Sequence, residues 1–271
     1  MQALRDQIAD VLGEIQPATC RGLFYAMVSR GLIPKTEAAY KTIVVRLTGE
    51  MRRSGDLPYS WLADSTRWMR KPRLWDGVED VLNNVAATYR RDLWAQLPSY
   101  VEVWLEKDAL AGTIVGATDP WGVPLMVTRG YASLSFLASA ADVMRYTAKP
   151  TTIYYLGDHD PSGVDIPIKV ESTLREMAPA VPLEFVRLAV NVDQIDTYDL
   201  PTRPTKRTDS RSASFVGGSV EVDAMPAPVL RGMVTDAITS HIDVDVYNHV
   251  QTIEAEERHW LQRIARREMG Q

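Results

Sequence analysis

The sequence predicts an α/β fold, with a helical N-terminal domain over residues 1–98 and a Rossmann-like domain with a mainly parallel sheet over residues 99–271. Two observations support this. Before Pro98 the apolar residues recur at helical spacing, whereas after it short apolar runs alternate with helical patterns. Such alternation is typical of β–α units, which build a parallel sheet covered by helices. With 271 residues, 45% of them hydrophobic, the chain is long enough for one large or two modest domains.

The N-terminal domain begins with three helical patterns and a β-rich segment. Residues 4–15 are amphipathic, "TCRGLFYAMVSRG" predicts a second helix that Gly31 ends, and "KTEAAYKTIVVRLTGEMRRSG" predicts a long basic helix that Gly55 ends. The next stretch, "DLPYSWLADSTRW", is rich in aromatic residues and predicts a short hairpin. Helix, turn, basic helix and β-wing is the order of a winged helix-turn-helix, whose third helix usually lies in a DNA major groove.

A further helix and the sheet follow. Residues 76–97 predict a helix that Pro98 ends. Strands are expected in "YVEVWLE", "VPLMVTRG", "TTIYYLGD" and "LEFVRLAV", with helices between them. Residues 250–268 predict a charged helical tail. In parallel sheets of this kind, ligands bind outside the carboxyl ends of the strands.

The charge distribution suggests a polyanionic partner. The net charge is −5, but residues 21–73 contain eleven Lys or Arg against four Asp or Glu, about +7. A segregated basic segment indicates contact with a polyanion such as DNA better than the total charge does, although a solvated basic face is the alternative. The candidate phosphate contacts are Lys35, Lys41, Arg46, Arg52 and Arg53.

The cysteine count and the hydropathy pattern bear on the compartment. Cys20 is the one cysteine, which excludes an internal disulfide and a multi-cysteine zinc site. No secretory leader and no uncharged apolar run of membrane-spanning length is visible. We therefore expect a cytoplasmic, nucleoid-associated protein without a membrane partner.

Three carboxylates follow predicted strands. Glu106 ends "YVEVWLE", and Asp158 and Asp160 follow "TTIYYLG". Carboxylates at one sheet edge repel unless a cation lies between them, and hard oxygen ligands suit Mg²⁺ or Mn²⁺. The alternative is that the two aspartates form a turn and cap the next helix, because Asp-x-Asp-Pro-Ser-Gly is also good turn chemistry.

The second predicted helix carries a candidate nucleophile. Arg21 and Tyr25 are four residues apart and share a helical stripe, while Leu23, Phe24 and Met27 point elsewhere and would be core. We expect Tyr25 to be exposed beside the guanidinium. A tyrosine hydroxyl needs a cation or a base before it can attack at neutral pH, and a surface tyrosine without any catalytic role is the common alternative.

Together these motifs resemble the A subunit of topoisomerase VI and its meiotic double-strand-break relatives. "VEVWLEKDAL" looks like the Toprim glutamate motif, and "YYLGDHDPSGVDI" looks like the family's Gly-Asp-x-Asp-x-x-Gly motif, ending at Gly163. "MVTRGYASLSFL" and "VEVDAMPAPVL", the latter with Glu221 and Asp223, resemble further segments, and "CRGLFY" is similar to an Arg-x-x-(Tyr/Phe)-Tyr motif. The resemblance covers roughly residues 18–235. The chain is shorter than the usual A subunit and has no ATP-binding module.

The resemblance implies a winged helix followed by a Toprim domain and a DNA-cleaving transesterase. Tyr25 would attack a DNA phosphate to give a 5′-phosphotyrosyl link, with Arg21 as its partner. Glu106, Asp158 and Asp160 would hold Mg²⁺ or Mn²⁺, and Glu106 would also shuttle a proton. A homodimer would cut both strands of double-stranded DNA, and strand passage would need a separate ATPase subunit. The size suggests a compact form of the kind found in phages and mobile elements.

Two other functions remain open from the sequence. A Toprim nuclease would hydrolyse DNA with water, so Tyr25 would be dispensable and the three carboxylates would not. A non-catalytic DNA-binding protein would keep the fold and survive loss of all three, since a fold does not fix a function.

Overall fold

The computed structural model describes residues 1–62, 72–204, 215 and 218–267. The chain divides into two compact units. Unit 1 comprises Met1–Arg67 and Tyr100–Ile238, and unit 2 comprises Trp68–Ser99 and Thr239–Gln271. These units group the residues differently from the sequence boundary at residue 98, which remains a prediction.

Unit 1 begins with helices close to their predicted positions. They are α1 (Gln2–Ile15), α2 (Cys20–Ser29), α3 (Glu37–Ala39), a π-helical stretch (Tyr40–Val45), α4 (Arg46–Ser54) and a 3₁₀ turn (Tyr59–Trp61). The predicted third helix is therefore one run of helical backbone from residue 37 to 54, with a π segment that the sequence pattern did not predict.

Side chains and a glycine set the ends of these helices. The Thr19 hydroxyl accepts the Gly22 N–H at 2.8 Å, and the Thr36 hydroxyl accepts the Ala39 N–H at 3.1 Å. Both satisfy backbone donors that the first turn leaves free. Gly55 ends α4 with φ +84°, a left-handed conformation that glycine adopts at low cost.

The described part of the predicted wing has a different structure. Within residues 56–62 the chain forms a 3₁₀ turn, and Leu62 forms an isolated parallel bridge with Ala18. Pairing with the segment before α2 takes the place of a local hairpin in this stretch. Residues 63–68, the rest of the predicted wing, lie outside the described residues.

The sheet of unit 1 is parallel throughout its four strands, as predicted. The strands are β1 (Tyr100–Leu105), β2 (Leu125–Val127), β3 (Thr151–Leu156) and β4 (Leu183–Ala189), in the order β2-β1-β3-β4. β1 and β3 are aligned from Tyr100 opposite Thr151 to Leu105 opposite Leu156. The carboxyl ends of these two central strands are therefore side by side.

Helices alternate with the strands. They are α6 (Ala111–Thr118), α7 (Leu134–Thr147), α8 (Pro161–Met177), α9 (Val192–Thr197) and α10 (Ala227–Thr239), with 3₁₀ turns at Asp108–Leu110, Asp119–Trp121 and Val222–Ala224. A core of fully buried side chains, among them Trp104, Ile153, Tyr155 and Leu174, joins the sheet to α7 and α8. The α/β prediction is confirmed at this level.

Unit 2 contains the long helices α5 (Val78–Thr88) and α11 (Val244–Arg267), which pack together. The prediction that a helix runs over 76–97 is wrong beyond Thr88. Tyr89 takes an extended conformation, and its hydroxyl donates to Glu257 at 2.6 Å. The Arg91 N–H donates to Glu254 at 2.8 Å. Tertiary hydrogen bonds to α11 thus replace the helical bonds that the sequence pattern suggested.

Among the described residues, no helix combines the length and the apolar character needed to cross a bilayer.

Candidate functional site

The candidate site lies where β1 and β3 end. Glu106 follows β1 directly, and its N–H donates to the Leu156 carbonyl at 2.9 Å, which continues the ladder by one residue. The Asp158 N–H donates to Glu106 Oε2 at 3.0 Å. The parallel register therefore brings these two carboxylates together, as the sequence predicted from their positions at strand ends.

Two glycines let the chain pass closely over this edge. A Cβ at Gly157 would lie 2.6 Å from Glu106 Oε2, and one at Gly163 would lie 2.1 Å from the Asp158 carbonyl oxygen. Real Cβ atoms do not approach that closely. At Gly163 the obstacle is backbone, so that position requires glycine, whereas at Gly157 the Tyr155 and Glu106 side chains would have to shift. The glycines of the "GDHDPSG" stretch are explained by this turn.

Glu106 and Asp158 are half-buried acids whose negative charges repel each other. Burial raises the pKa of Glu106, and repulsion from Asp158 raises it further. Burial also raises the pKa of Asp158, against the attraction of Lys107 and the hydrogen bond from the Val222 N–H. Two neighbouring carboxyls whose ionisation is disfavoured form a site where a cation would be stabilised.

Asp160 has a structural role at the start of α8. Its carboxylate accepts the Gly163 N–H at 2.7 Å and caps the helix. The capping role that the sequence left open is thus observed for this residue. Its role as a third metal ligand stays a prediction.

Lys107, which no sequence pattern indicated as a site residue, lies among three acids. Lys107 Nζ is 3.1 Å from Asp158 Oδ1, 3.3 Å from Glu221 Oε2 and 3.0 Å from Asp223 Oδ2. Burial lowers its pKa, but attraction from Asp223, Asp158 and Glu221 outweighs burial, and the net pKa lies above the usual range. Lys107 is therefore a charged ammonium that offsets three carboxylates.

Arg187 holds the turn from β4. Its guanidinium donates to the carbonyls of Gly163 at 2.9 Å, Gly157 at 3.1 Å and Val190 at 3.0 Å, and also to the carbonyl of Asp158. These bonds satisfy carbonyls that a tight, partly buried turn would otherwise leave unpaired. Arg187 fixes the backbone that positions Asp158.

The structure corrects the expected environment of Tyr25. Its side chain is 2% exposed, so the expectation of an exposed tyrosine is wrong. Its ring lies 5.3 Å from that of Phe24, and its hydroxyl accepts a hydrogen bond from Arg203. Arg203 also pairs with Glu221 at 2.7 Å. The helical stripe could not show this, because the covering residue is distant in sequence.

Arg21 has other contacts than the predicted one. Its guanidinium pairs with Glu37 at 3.2 Å and lies 4.0 Å from the centroid of the Tyr40 ring. Burial, the largest cause, and repulsion from Glu221 raise the pKa of Tyr25, the cations Arg203, Arg21 and Lys107 lower it, and the net pKa is about 12. The direct cationic partner of the hydroxyl is Arg203, while Arg21 acts on it only through its charge.

Helix α2, which carries Tyr25, is linked by a hydrogen bond at its N-terminus to one of the acids that contact Lys107. Thr19, which caps α2, donates from its hydroxyl to Asp223 Oδ1 at 3.0 Å. Asp223 in turn contacts Lys107. Tyr25 and the acids that follow β1 and β3 therefore belong to one connected network within unit 1.

The predicted DNA contacts lie on and before the basic helix. Lys41, Arg46 and Arg53 are exposed, and Arg46 forms an i,i+4 ion pair with Glu50 at 2.9 Å. Arg52 lies 5.6 Å from the centroid of the Tyr59 ring. Lys35 is half-buried and donates to the Thr202 carbonyl at 2.5 Å. Lys35 therefore lies beside Tyr25 and not on the exposed face of the basic helix.

The sequence alone did not indicate three residues of this site, which are Lys107, Arg187 and Arg203. Lys107 could have been found, because a lysine directly after a strand-end glutamate must lie near the same edge. Arg187 lies within a strand pattern and Arg203 lies in a turn-rich segment, and neither position signals its contacts.

The donor set partly fits a magnesium site. Glu106 and Asp158 offer hard carboxylate oxygens, and Mg²⁺ is usually held by one or two carboxylates with water and phosphate. Within the ranges that the structure describes, no group of three or more His, Cys, Asp or Glu side chains is arranged to hold a metal. The Glu106 and Asp158 pair fits such an ion, and the role of Asp160 as a third ligand stays a prediction.

Comparison of the sequence with models of known protein families and with curated proteins finds no match.

Proposed function

We propose that this chain is a DNA-cleaving transesterase in which Tyr25 attacks a backbone phosphate. The proposal rests on a series of polar contacts that connects the Tyr25 hydroxyl to the Asp158 carboxylate after β3. Its members, in order, are Tyr25, Arg203, Glu221, Lys107 and Asp158. A phenol, two cations and several carboxylates are the groups that nucleophilic attack on a phosphodiester uses. The resemblance to the topoisomerase VI A subunit agrees with this assignment.

The proposed step transfers a phosphoryl group to the tyrosine. The Tyr25 oxygen bonds to phosphorus, the bond from phosphorus to the 3′ oxygen breaks, and the 3′ oxygen leaves with a proton. The pKa of Tyr25, about 12, keeps its hydroxyl protonated at neutral pH, so a base must remove that proton. Glu106 is the proposed proton shuttle.

Glu106 and Asp158 would hold the Mg²⁺ or Mn²⁺ of this reaction. The metal would offset the negative charge that develops on the phosphoryl oxygens. Double-stranded DNA is the proposed substrate, with two copies of the chain cutting one strand each and a separate ATPase subunit needed for strand passage.

Magnesium is expected to stabilise the protein through this pair. At ten times its Kd, a ligand that binds only the folded state adds about 1.4 kcal/mol. A thermal melt with increasing Mg²⁺ should therefore show a rising Tm for the wild type and no rise for Glu106→Gln. Equal rises in both proteins would remove Glu106 from the metal site.

Loss of the Tyr25 hydroxyl is expected to abolish covalent attachment to DNA. Wild type and Tyr25→Phe are incubated with supercoiled plasmid and Mg²⁺ or Mn²⁺, stopped with denaturant, and assayed for protein-linked DNA. Tyr40→Phe is the matched control, because Tyr40 is a partly buried tyrosine whose ring also contacts an arginine. Adducts in the wild type and the control but not in Tyr25→Phe would establish the proposal.

A second candidate is a metal-dependent nuclease that hydrolyses DNA without a covalent tyrosine. The near-complete burial of Tyr25 favours it, since a buried phenol of high pKa is a poor nucleophile. Cutting that persists in Tyr25→Phe but is lost in Asp158→Ala would establish this nuclease. DNA binding without cutting, unchanged when Glu106, Asp158 and Asp160 are each replaced by Ala, would indicate a non-catalytic protein.

A further inference from the structure

A cavity of about 370 Å³ opens beside the helix that carries Tyr25. Its lining includes Phe24, the two cations Lys35 and Arg203, and the carboxylate of Glu37. Glu37 is paired with Arg21 at 3.2 Å, so its charge is already offset. The remaining charge of the lining is positive.

The two cations of the lining converge on the tyrosine. Lys35 Nζ lies 6.0 Å from the centroid of the Tyr25 ring, and Arg203 Cζ lies 5.6 Å from it. Burial lowers the pKa of Lys35, and repulsion from Arg203 lowers it further. The charged form of Lys35 is therefore disfavoured in this position, and a bound anion would relieve that cost.

Both cations keep donors for a ligand. Arg203 uses one terminal nitrogen for Glu221 and the other for the Tyr25 hydroxyl, while its side chain remains 42% exposed. Lys35 donates to the Thr202 carbonyl at 2.5 Å, and an ammonium has three hydrogens. The cavity side of both groups can therefore contact phosphate oxygens.

We propose that Lys35 and Arg203 form the binding site for the phosphodiester that Tyr25 attacks, with Arg203 positioning the hydroxyl. This inference rests on the proposed function and deepens it. Lys35 then contacts the phosphate that Tyr25 attacks, and not a phosphate elsewhere along the DNA. Arg203 takes the place that the sequence gave to Arg21, and it stabilises negative charge on the phenol oxygen as the proton leaves.

The test separates phosphate binding from chemistry. Binding of a fluorescent DNA duplex is measured by anisotropy at several salt concentrations for the wild type, Lys35→Ala, Arg203→Ala and Arg203→Lys. Each alanine variant is expected to reduce the slope of log K against log salt by about one, because each removes one phosphate contact. Lys169→Ala is the control. It removes an exposed lysine that pairs with Asp165 on α8, and it should leave the slope unchanged.

The adduct assay tests the positioning role. Arg203→Ala should reduce the adduct yield about 100-fold, far more than it weakens binding, and Arg203→Lys should recover part of the yield. Unchanged salt slopes in Lys35→Ala and Arg203→Ala, or a wild type that does not bind DNA, would overturn the inference. Reduced slopes with no adduct in any protein would uphold the phosphate site and reject the transesterase. A melt of each variant shows that it is folded.

Discussion

Replacing Lys107 by Met is expected to lower the free energy of unfolding by about 3 kcal/mol, a loss typical of breaking buried ion pairs by removing one partner. Lys107 is 24% exposed and contacts Asp158, Glu221 and Asp223, and Asp223 is only 4% exposed. Methionine keeps much of the packing but leaves three carboxylates without their common cation. Thermal melts at neutral pH should show a Tm lower by about 5–12 °C.

The pH dependence identifies the cause of that loss. The pKa of Glu221 is lowered: burial, the largest cause, raises it, but attraction from Lys107, Arg203 and Arg21 outweighs burial. A lowered carboxyl pKa contributes stability above the unfolded value, and this contribution is lost as pH falls through the folded value. The difference between Lys107→Met and the wild type should therefore persist from pH 7 down to the usual carboxyl pKa, near 4.5, and shrink as the pH falls below it.

Two further variants serve as controls for Lys107. Lys169→Met removes an exposed i,i+4 ion pair with Asp165 and should change stability by less than about 0.5 kcal/mol. Adding Asp223→Asn to Lys107→Met removes one uncompensated charge and should restore part of the loss. A Lys107→Met protein as stable as the wild type at pH 7 would show that the acids do not depend on this ammonium.

Gly163→Ala is expected to destabilise the protein by about 3 kcal/mol or more, at the upper end of the cost of overpacking. The new Cβ would lie 2.1 Å from the Asp158 carbonyl oxygen and 2.9 Å from its carbonyl carbon. The obstacle is backbone that Arg187 also holds, so it cannot rotate away as a side chain would. The turn must move, and Asp158 moves with it.

The matched control for Gly163 is Gly116 in α6, where nothing lies within 4 Å of an added Cβ. Gly116→Ala should be neutral or stabilising by up to about 1 kcal/mol, because alanine favours helix over glycine. Chemical denaturation of both variants measures the difference. If Gly163→Ala had the same free energy of unfolding as Gly116→Ala, the close approach of the turn to α8 would be wrong.

The sequence alone determined the alternation of strands and helices after residue 98. It also placed Glu106 and Asp158 at strand ends along one edge of the sheet, because β–α periodicity and the parallel-sheet rule depend on local pattern. The glycine at 163 was likewise visible in its motif. Local rules sufficed wherever the governing contacts lie within one element or between adjacent parallel strands.

Tertiary structure decided the rest. The end of α5 at Thr88 depends on hydrogen bonds to α11, and the burial of Tyr25 depends on Arg203, which is 178 residues away in sequence. The capping of α8 by Asp160 had been one of two alternatives that the turn chemistry allowed. Periodicity reports which face of a helix is apolar, whereas the residue that covers a polar side chain is fixed only when distant segments pack. For this reason the sequence predicted the carboxylates of the candidate site, and only the fold revealed the cations that neutralise them.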